Sequence, residues 1–159
     1  MVKIKMKLDI LKCLRYKKRN IIFYKPVSCK ISDKARINIG GKLTINIRSN
    51  RNVKNLSCGY LIMADNSKLI ITDSFDVFSG CTIGILDNAK LSIGSGYMNY
   101  NSKIYCFKEI NIGRNVAISE GVIIRDSDNH EILDGKHVKS KSINIGNDVW
   151  IGLNAIILN

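Results

Sequence analysis

The chain has 159 residues and a mass of 17.8 kDa, enough for one domain with its own core and too little for two. Hydrophobic residues make up 45% and charged residues 24%, which excludes wholesale disorder; 27 Ile and 17 Asn against one proline favour strands over a helical bundle. The net charge of +12 suggests nucleic acid until it is divided by position. Residues 1–36 hold 12 basic and 2 acidic groups (+10), leaving 13 basic and 11 acidic (+2) for residues 37–159, so the body is nearly neutral and nucleic acid is not the expected partner.

Residues 1–36 read as a basic leader or cap. The opening MVKIKMKLDILKCLRYKKRN alternates Lys with apolar residues and is not a secretory signal peptide, and no stretch reaches the roughly 20 apolar residues of a membrane-spanning helix. Met6, Ile10, Cys13 and Leu14 fall near one helical face. Such a leader is expected either to touch an anionic surface, with peripheral membrane contact, or to cap the core as a solvated element. Cysteines 13, 29, 58, 81 and 106 are odd in number and widely spaced, which points to reduced, buried, filler thiols and a cytoplasmic protein.

From residue 37 the chain repeats itself. The phrases INIG at 37–40, LIIT at 69–72, LSIG at 91–94 and INIG at 110–113 and 143–146 recur. Ile71, Val77 and Ile83, then Ile112, Ile118 and Ile124, then Ile145, Ile151 and Ile157 each advance by six. A helix requires steps of three or four and an isolated strand steps of two, so a sustained step of six predicts a coil of short strands joined by tight turns around an axial core. Gly40, Gly84, Gly94, Gly113, Gly146 and Gly152 are expected at turns where the backbone crowds or takes unusual dihedrals. Residues 47–60 keep no clean period and are expected to form an irregular coil or excursion. INIGRNVAISEGVII and INIGNDVWIGLNAII resemble the tandem hexapeptide repeats of the left-handed β-helix acyltransferases. The expected fold is therefore all-β, a left-handed parallel β-helix over 37–159, its handedness implied by the resemblance alone.

Between Ile124 and Ile145 the step is 21, not a multiple of six, so residues 125–142 must leave the coil as a loop. Loops on rigid scaffolds concentrate binding and catalytic groups, and this one holds both histidines, His130 and His137, with Asp126, Asp128, Glu131 and Asp134. Histidine titrates nearest neutrality, so a positioned His can take a proton from a hydroxyl and return it. Calcium is disfavoured because the sixth position of the loop pattern lacks Gly and the twelfth is His137 where Glu is needed. Zinc is disfavoured because only two histidines exist, whereas β-helical carbonic anhydrases use three; no metal is expected. Ser127 lies near His130 in the chain, but no Gly-x-Ser-x-Gly elbow is present, and an idle solvated loop is the remaining alternative.

The run NYNSKIYCFKEINIGRNVAISEGVIIRDSDNH followed by INIGNDVWIG resembles the galactoside, maltose and nodulation O-acetyltransferase branch and the sugar O-acetyltransferases of polysaccharide clusters. That resemblance implies His130 as catalytic base, Asn99 as an acceptor-pocket residue, Trp150 at the acceptor and thioester, and Gly152 with Trp150 along acetyl-CoA. Asp126 and Asp128 are expected either to orient the imidazole or to bind sugar hydroxyls. It further implies direct acetyl transfer from acetyl-CoA to a sugar hydroxyl in surface polysaccharide synthesis, by a homotrimer whose sites lie between coils. The chain ends at IGLNAIILN, which by the resemblance is expected to lie partway through a coil where relatives run on. A truncated non-catalytic scaffold and a nucleotide-sugar N-acetyltransferase are the alternatives.

Overall fold

The computed structural model describes residues 20–48, 57–128 and 140–159. They form stacked turns of a three-sided coil. The first turn is β1 (Ile21–Phe23), β2 (Val27–Ile31) and β3 (Arg36–Ile39); the second is β4 (Lys42–Ile47), β5 (Gly59–Met63) and β6 (Lys68–Ile71). The third is β7 (Ser74–Phe78), β8 (Thr82–Ile85) and β9 (Lys90–Ile93), and the fourth β10 (Gly96–Met98), β11 (Lys103–Cys106) and β12 (Glu109–Ile112). Then come β13 (Val116–Ile118), β14 (Ile123–Arg125) and β15 (Ile143–Ile145), followed by β16 (Trp150–Ile151) and β17 (Ile156–Leu158). Each strand pairs in parallel with its counterpart one turn away, giving three sheets: a first face from β1 to β16, a second from β2 to β17 and a third from β3 to β15. This is the coil expected from the hexapeptide step, of the left-handed β-helix class that the resemblance implies. Among the described residues no helix is long and apolar enough to cross a membrane.

The step of six is one side of the prism. Ile71, Val77 and Ile83 stand on the third, first and second faces in turn, all buried, and the two later triplets follow the same path. Stacking them gives inward columns. Ile39, Ile71, Ile93, Ile112 and Ile145 line the third face; Cys29, Leu61, Ile83, Ile104, Ile124 and Ile157 line the second. Burying each large aliphatic side chain contributes about 1.5–3 kcal/mol, and the columns merge into one continuous core. Where Phe75 fills the first-face column, the residue opposite it is Gly96; a Cβ there would lie 2.0 Å from the Val116 carbonyl oxygen at φ +130, so only glycine fits.

Every triplet breaks at the same corner, between the second and third faces. The step from Ile83 to Ile93 is ten and from Ile104 to Ile112 eight. The 21-residue step at Ile124 is thus the longest version of a corner that is already long.

Two expectations shift. The coil begins at Ile21, inside the stretch assigned to the leader: Phe23 and Cys29 are already six apart and packed into the core, without an Ile-Gly phrase to announce them. The spacing of Met6, Ile10, Cys13 and Leu14 lies outside the described residues. Unusual dihedrals fall mainly on asparagine: Asn20, Asn46, Asn66, Asn88, Asn101, Asn115 and Asn154, with Asp148, have positive φ, which explains the Asn excess. The Ile-Gly glycines are not in that region. Gly40, Gly94 and Gly113 are there for crowding, and Gly84 sits within β8, against Tyr105.

β4 ends at Ile47 on the first face and β5 begins at Gly59 on the second; most of the aperiodic stretch, residues 49–56, lies outside the described residues. Fully buried Asn46 ties β4 to the turn below, its Nδ2 donating to the carbonyls of Tyr24 and Pro26, each at 2.9 Å.

Candidate active site

The residues singled out in the sequence occupy two corners. At the corner after the first face, Asn99, Ser119 and Gly152 stack one above another: the Asn99 amide donates to the Ile118 carbonyl at 2.8 Å, and the Ser119 amide to the Ile151 carbonyl at 3.0 Å. Each immediately follows a core residue of β10, β13 or β16, so the same geometry that buries Met98, Ile118 and Ile151 turns these three outward. Asn99 Oδ1 accepts from the Tyr100 amide at 2.9 Å, and its carbonyl accepts from Cys81 Sγ at 2.9 Å, so the turn is held from both sides.

Trp150 projects from β16 beside this stack. Its neighbour Ile151 faces the core, and strand alternation leaves the indole 77% exposed. Indole Nε1 donates to Ser119 Oγ at 2.9 Å, which aims the ring along the corner. Opposite Trp150 in the sheet is Ala117, and beyond it the exposed Tyr97, whose ring meets Phe78 edge-on at 6.3 Å. Ser119 had no motif to mark it; its role depends on a partner 31 positions away.

The second corner, between the second and third faces, is the root of the loop. Ser127 and Ser140 form an antiparallel bridge there, a neck through which the chain leaves and returns. His130, His137, Glu131 and Asp134 lie outside the described residues. Asp128, at the neck, is half-buried. Asp126 is fully buried. Its Oδ1 accepts the amide of Phe107 at 2.6 Å, and its Oδ2 those of Lys108 at 2.8 Å and Glu109 at 2.7 Å.

One turn lower, the Leu86 and Lys90 amides donate to the Cys106 and Lys108 carbonyls of the turn above. At the corresponding corner above Phe107–Glu109 the Asp126 carboxylate, and among the described residues no backbone carbonyl, is the acceptor. The side chain expected to meet the imidazole or the acceptor is thus engaged with three backbone amides.

Arg125 is tied to the same neck: its guanidinium lies over the Phe107 ring, 5.0 Å from the centroid, and Nε donates to the Ser127 carbonyl at 2.6 Å. Glu109 Oε1 accepts from Lys90 Nζ at 3.0 Å, and this hydrogen bond chiefly lowers the Glu109 pKa. Burial pushes the Cys81 and Cys106 thiols up to about 12, with Asp126 adding to the rise at Cys106, so neither is a thiolate nucleophile at neutral pH.

Within one chain the two corners lie at opposite edges of the second face, separated by a strand length of roughly 10–13 Å. The structure brings Asn99, Ser119, Trp150 and Gly152 together and puts the loop root, with Asp126 and Asp128, at the other edge.

No family model and no solved structure matches the chain. It is 30% identical over 118 residues to a polysialic acid O-acetyltransferase of Neisseria meningitidis, a match that covers 67% of this chain. The chain spans about half (52%) of that relative's length. The similarity and the stacked parallel strands together fit a hexapeptide-repeat acetyltransferase.

Proposed function

We propose that the chain is an acetyl-CoA-dependent O-acetyltransferase that modifies a saccharide hydroxyl during synthesis of a surface polysaccharide in the cytoplasm. The observation that carries this reading is the similarity to a polysialic acid O-acetyltransferase in a coil whose sequence carries both histidines between Ser127 and Ser140. His130 accepts the proton of the sugar hydroxyl, the freed oxygen attacks the thioester carbonyl, and the imidazolium returns the proton to the departing thiolate. Asp128 at the neck is assigned to orienting the imidazole or holding the sugar. Trp150 and Gly152 flank the pantetheine thioester, and Asn99 holds the acceptor. Asp126 acts through the scaffold, by fixing the neck.

Because the Asn99–Trp150 corner and the Ser127–Ser140 neck occupy opposite edges of one face, a complete site forms most simply between copies, the neck edge of one set against the corner of the next. The second face supports such association: Tyr60, Ile62, Ile156 and Leu158 are large apolar side chains exposed along it. A homotrimer is the proposed assembly. The test is acetyl transfer from acetyl-CoA to a panel of saccharides, with sedimentation on the same sample. Acetylated product from a trimer supports the reading; no transfer to any saccharide, with no thermal stabilisation by CoA, overturns it.

A further inference from the structure

We propose that Arg125 is a specificity residue that binds a carboxylate on the acceptor, so that the chain acts on an acidic saccharide; this rests on the acetyltransferase reading above. Arg125 ends β14 at the loop neck, five residues before His130 in the chain. The Phe107 ring beneath its guanidinium and the bond from Nε to the Ser127 carbonyl hold the side chain in one conformation. Its ordering entropy is thereby spent before any ligand arrives. The Nη groups remain, and two parallel N–H donors match the two oxygens of a carboxylate.

Among the described residues Arg125 is in no ion pair, although the half-buried carboxylate of Asp128 stands three residues on at the same neck. Its sequence neighbour Asp126 points inward and spends both oxygens on backbone amides. The ion pairs among the described residues are Lys34–Asp65 and Lys90–Glu109, and neither involves Arg125. Exposed Lys108, whose amide bonds Asp126, and exposed Lys141, next to Ser140, make the neck more positive still. A half-buried, immobilised cation with no ion pair among the described residues favours an anionic ligand. The phosphates of CoA share that charge. A place at the root of the loop that bears the proposed base favours the acceptor instead.

The test compares oligomers of sialic acid with the same oligomers after reduction of their carboxylates to alcohols, using the full chain and its Arg125→Gln and Arg125→Lys variants. The wild type is expected to use the acidic oligomer with kcat/KM about tenfold or more above the reduced one, since a hydrogen bond to a charged group contributes about 1.5–3 kcal/mol. Arg125→Gln should raise KM for the acidic oligomer by about the same factor and leave KM for the reduced oligomer and for acetyl-CoA unchanged, with Arg125→Lys in between.

Equal use of both oligomers by the wild type overturns the assignment even if a variant fails to fold. A KM change confined to acetyl-CoA, and absent with acetyl-dephospho-CoA, assigns Arg125 to the cofactor and also overturns it. Calorimetric binding without acetyl-CoA separates the two levels. Binding of the acidic oligomer that Arg125→Gln abolishes, with no transfer to any sugar, sustains Arg125 and removes the acetyltransferase reading; transfer to both oligomers alike does the reverse.

Discussion

The carboxylate of Asp126 accepts the backbone amide of Glu109 at 2.7 Å, a side chain completing a rung that the backbone of the next turn supplies elsewhere in the coil. Replacing it with Ala leaves three amides of one corner without an acceptor inside the fold. Each such loss costs about 1–3 kcal/mol, so Asp126→Ala should lose at least about 3 kcal/mol in urea unfolding. Asp126→Asn keeps one oxygen and should fall between the two. A change below about 0.5 kcal/mol in Asp126→Ala would mean that water or a shifted loop replaces the carboxylate without difficulty.

Ser119 and Trp150 separate stability from function. The indole is mostly exposed, so Ser119→Ala should change stability by less than about 0.5 kcal/mol. The same variant frees the ring and should raise KM for acetyl-CoA several-fold. Trp150 is the chain's single tryptophan, so its fluorescence reports CoA binding directly. No spectral response to CoA in the wild type would remove Trp150 from the site.

The Phe75–Gly96 pairing sets the local shape of the first face. A methyl group at Gly96 would meet the Val116 carbonyl at a backbone φ that L residues rarely adopt. Gly96→Ala should therefore destabilise by more than about 1 kcal/mol, and thermal melting reads this against Gly146→Ala, where nothing lies within 4 Å of the added Cβ.

Thiol chemistry tests the core. Cys81 and Cys106, buried and raised to about 12, should resist alkylation at about pH 8 in the folded protein and react once it is unfolded in urea. Half-buried Cys58 should react first among the four described cysteines. Peptide mapping of the labelled protein identifies each site.

The Lys90–Glu109 pair gives a pH signature of defined sign. The Glu109 pKa is lowered from its ordinary 4.5, so its stabilisation is present above that value and lost as pH falls through the lowered one. Both side chains are partly exposed and solvent screens the pair, so the effect stays below about 1 kcal/mol. Glu109→Gln should cost that amount at neutral pH and progressively less as pH falls below 4.5, as measured by urea unfolding across that range.

The step of six made the fold legible because each successive side of the coil turns the same residue type inward, as Ile112, Ile118 and Ile124 do on the third, first and second faces. The first turn was less legible because Phe23 and Cys29 keep the step without the Ile-Gly phrase. Loop 125–142 announced itself by breaking the period, yet its root did not. Nothing in the sequence tells a carboxylate bound to backbone amides, such as Asp126, from one bound to substrate; that distinction depends on acceptors lost one turn away. Arg125 and Ser119 were missed for a similar reason, since their partners Phe107 and Trp150 are distant in the chain.

The proposed mechanism depends on His130. Acetyl transfer measured on the saccharide that the wild type modifies, for wild type and His130→Ala side by side, tests it most directly. The mechanism predicts a folded variant that still binds CoA and whose kcat is lower by about 10²–10⁴-fold, the usual contribution of a positioned general base. A folded His130→Ala protein that retains near-wild-type turnover would contradict it.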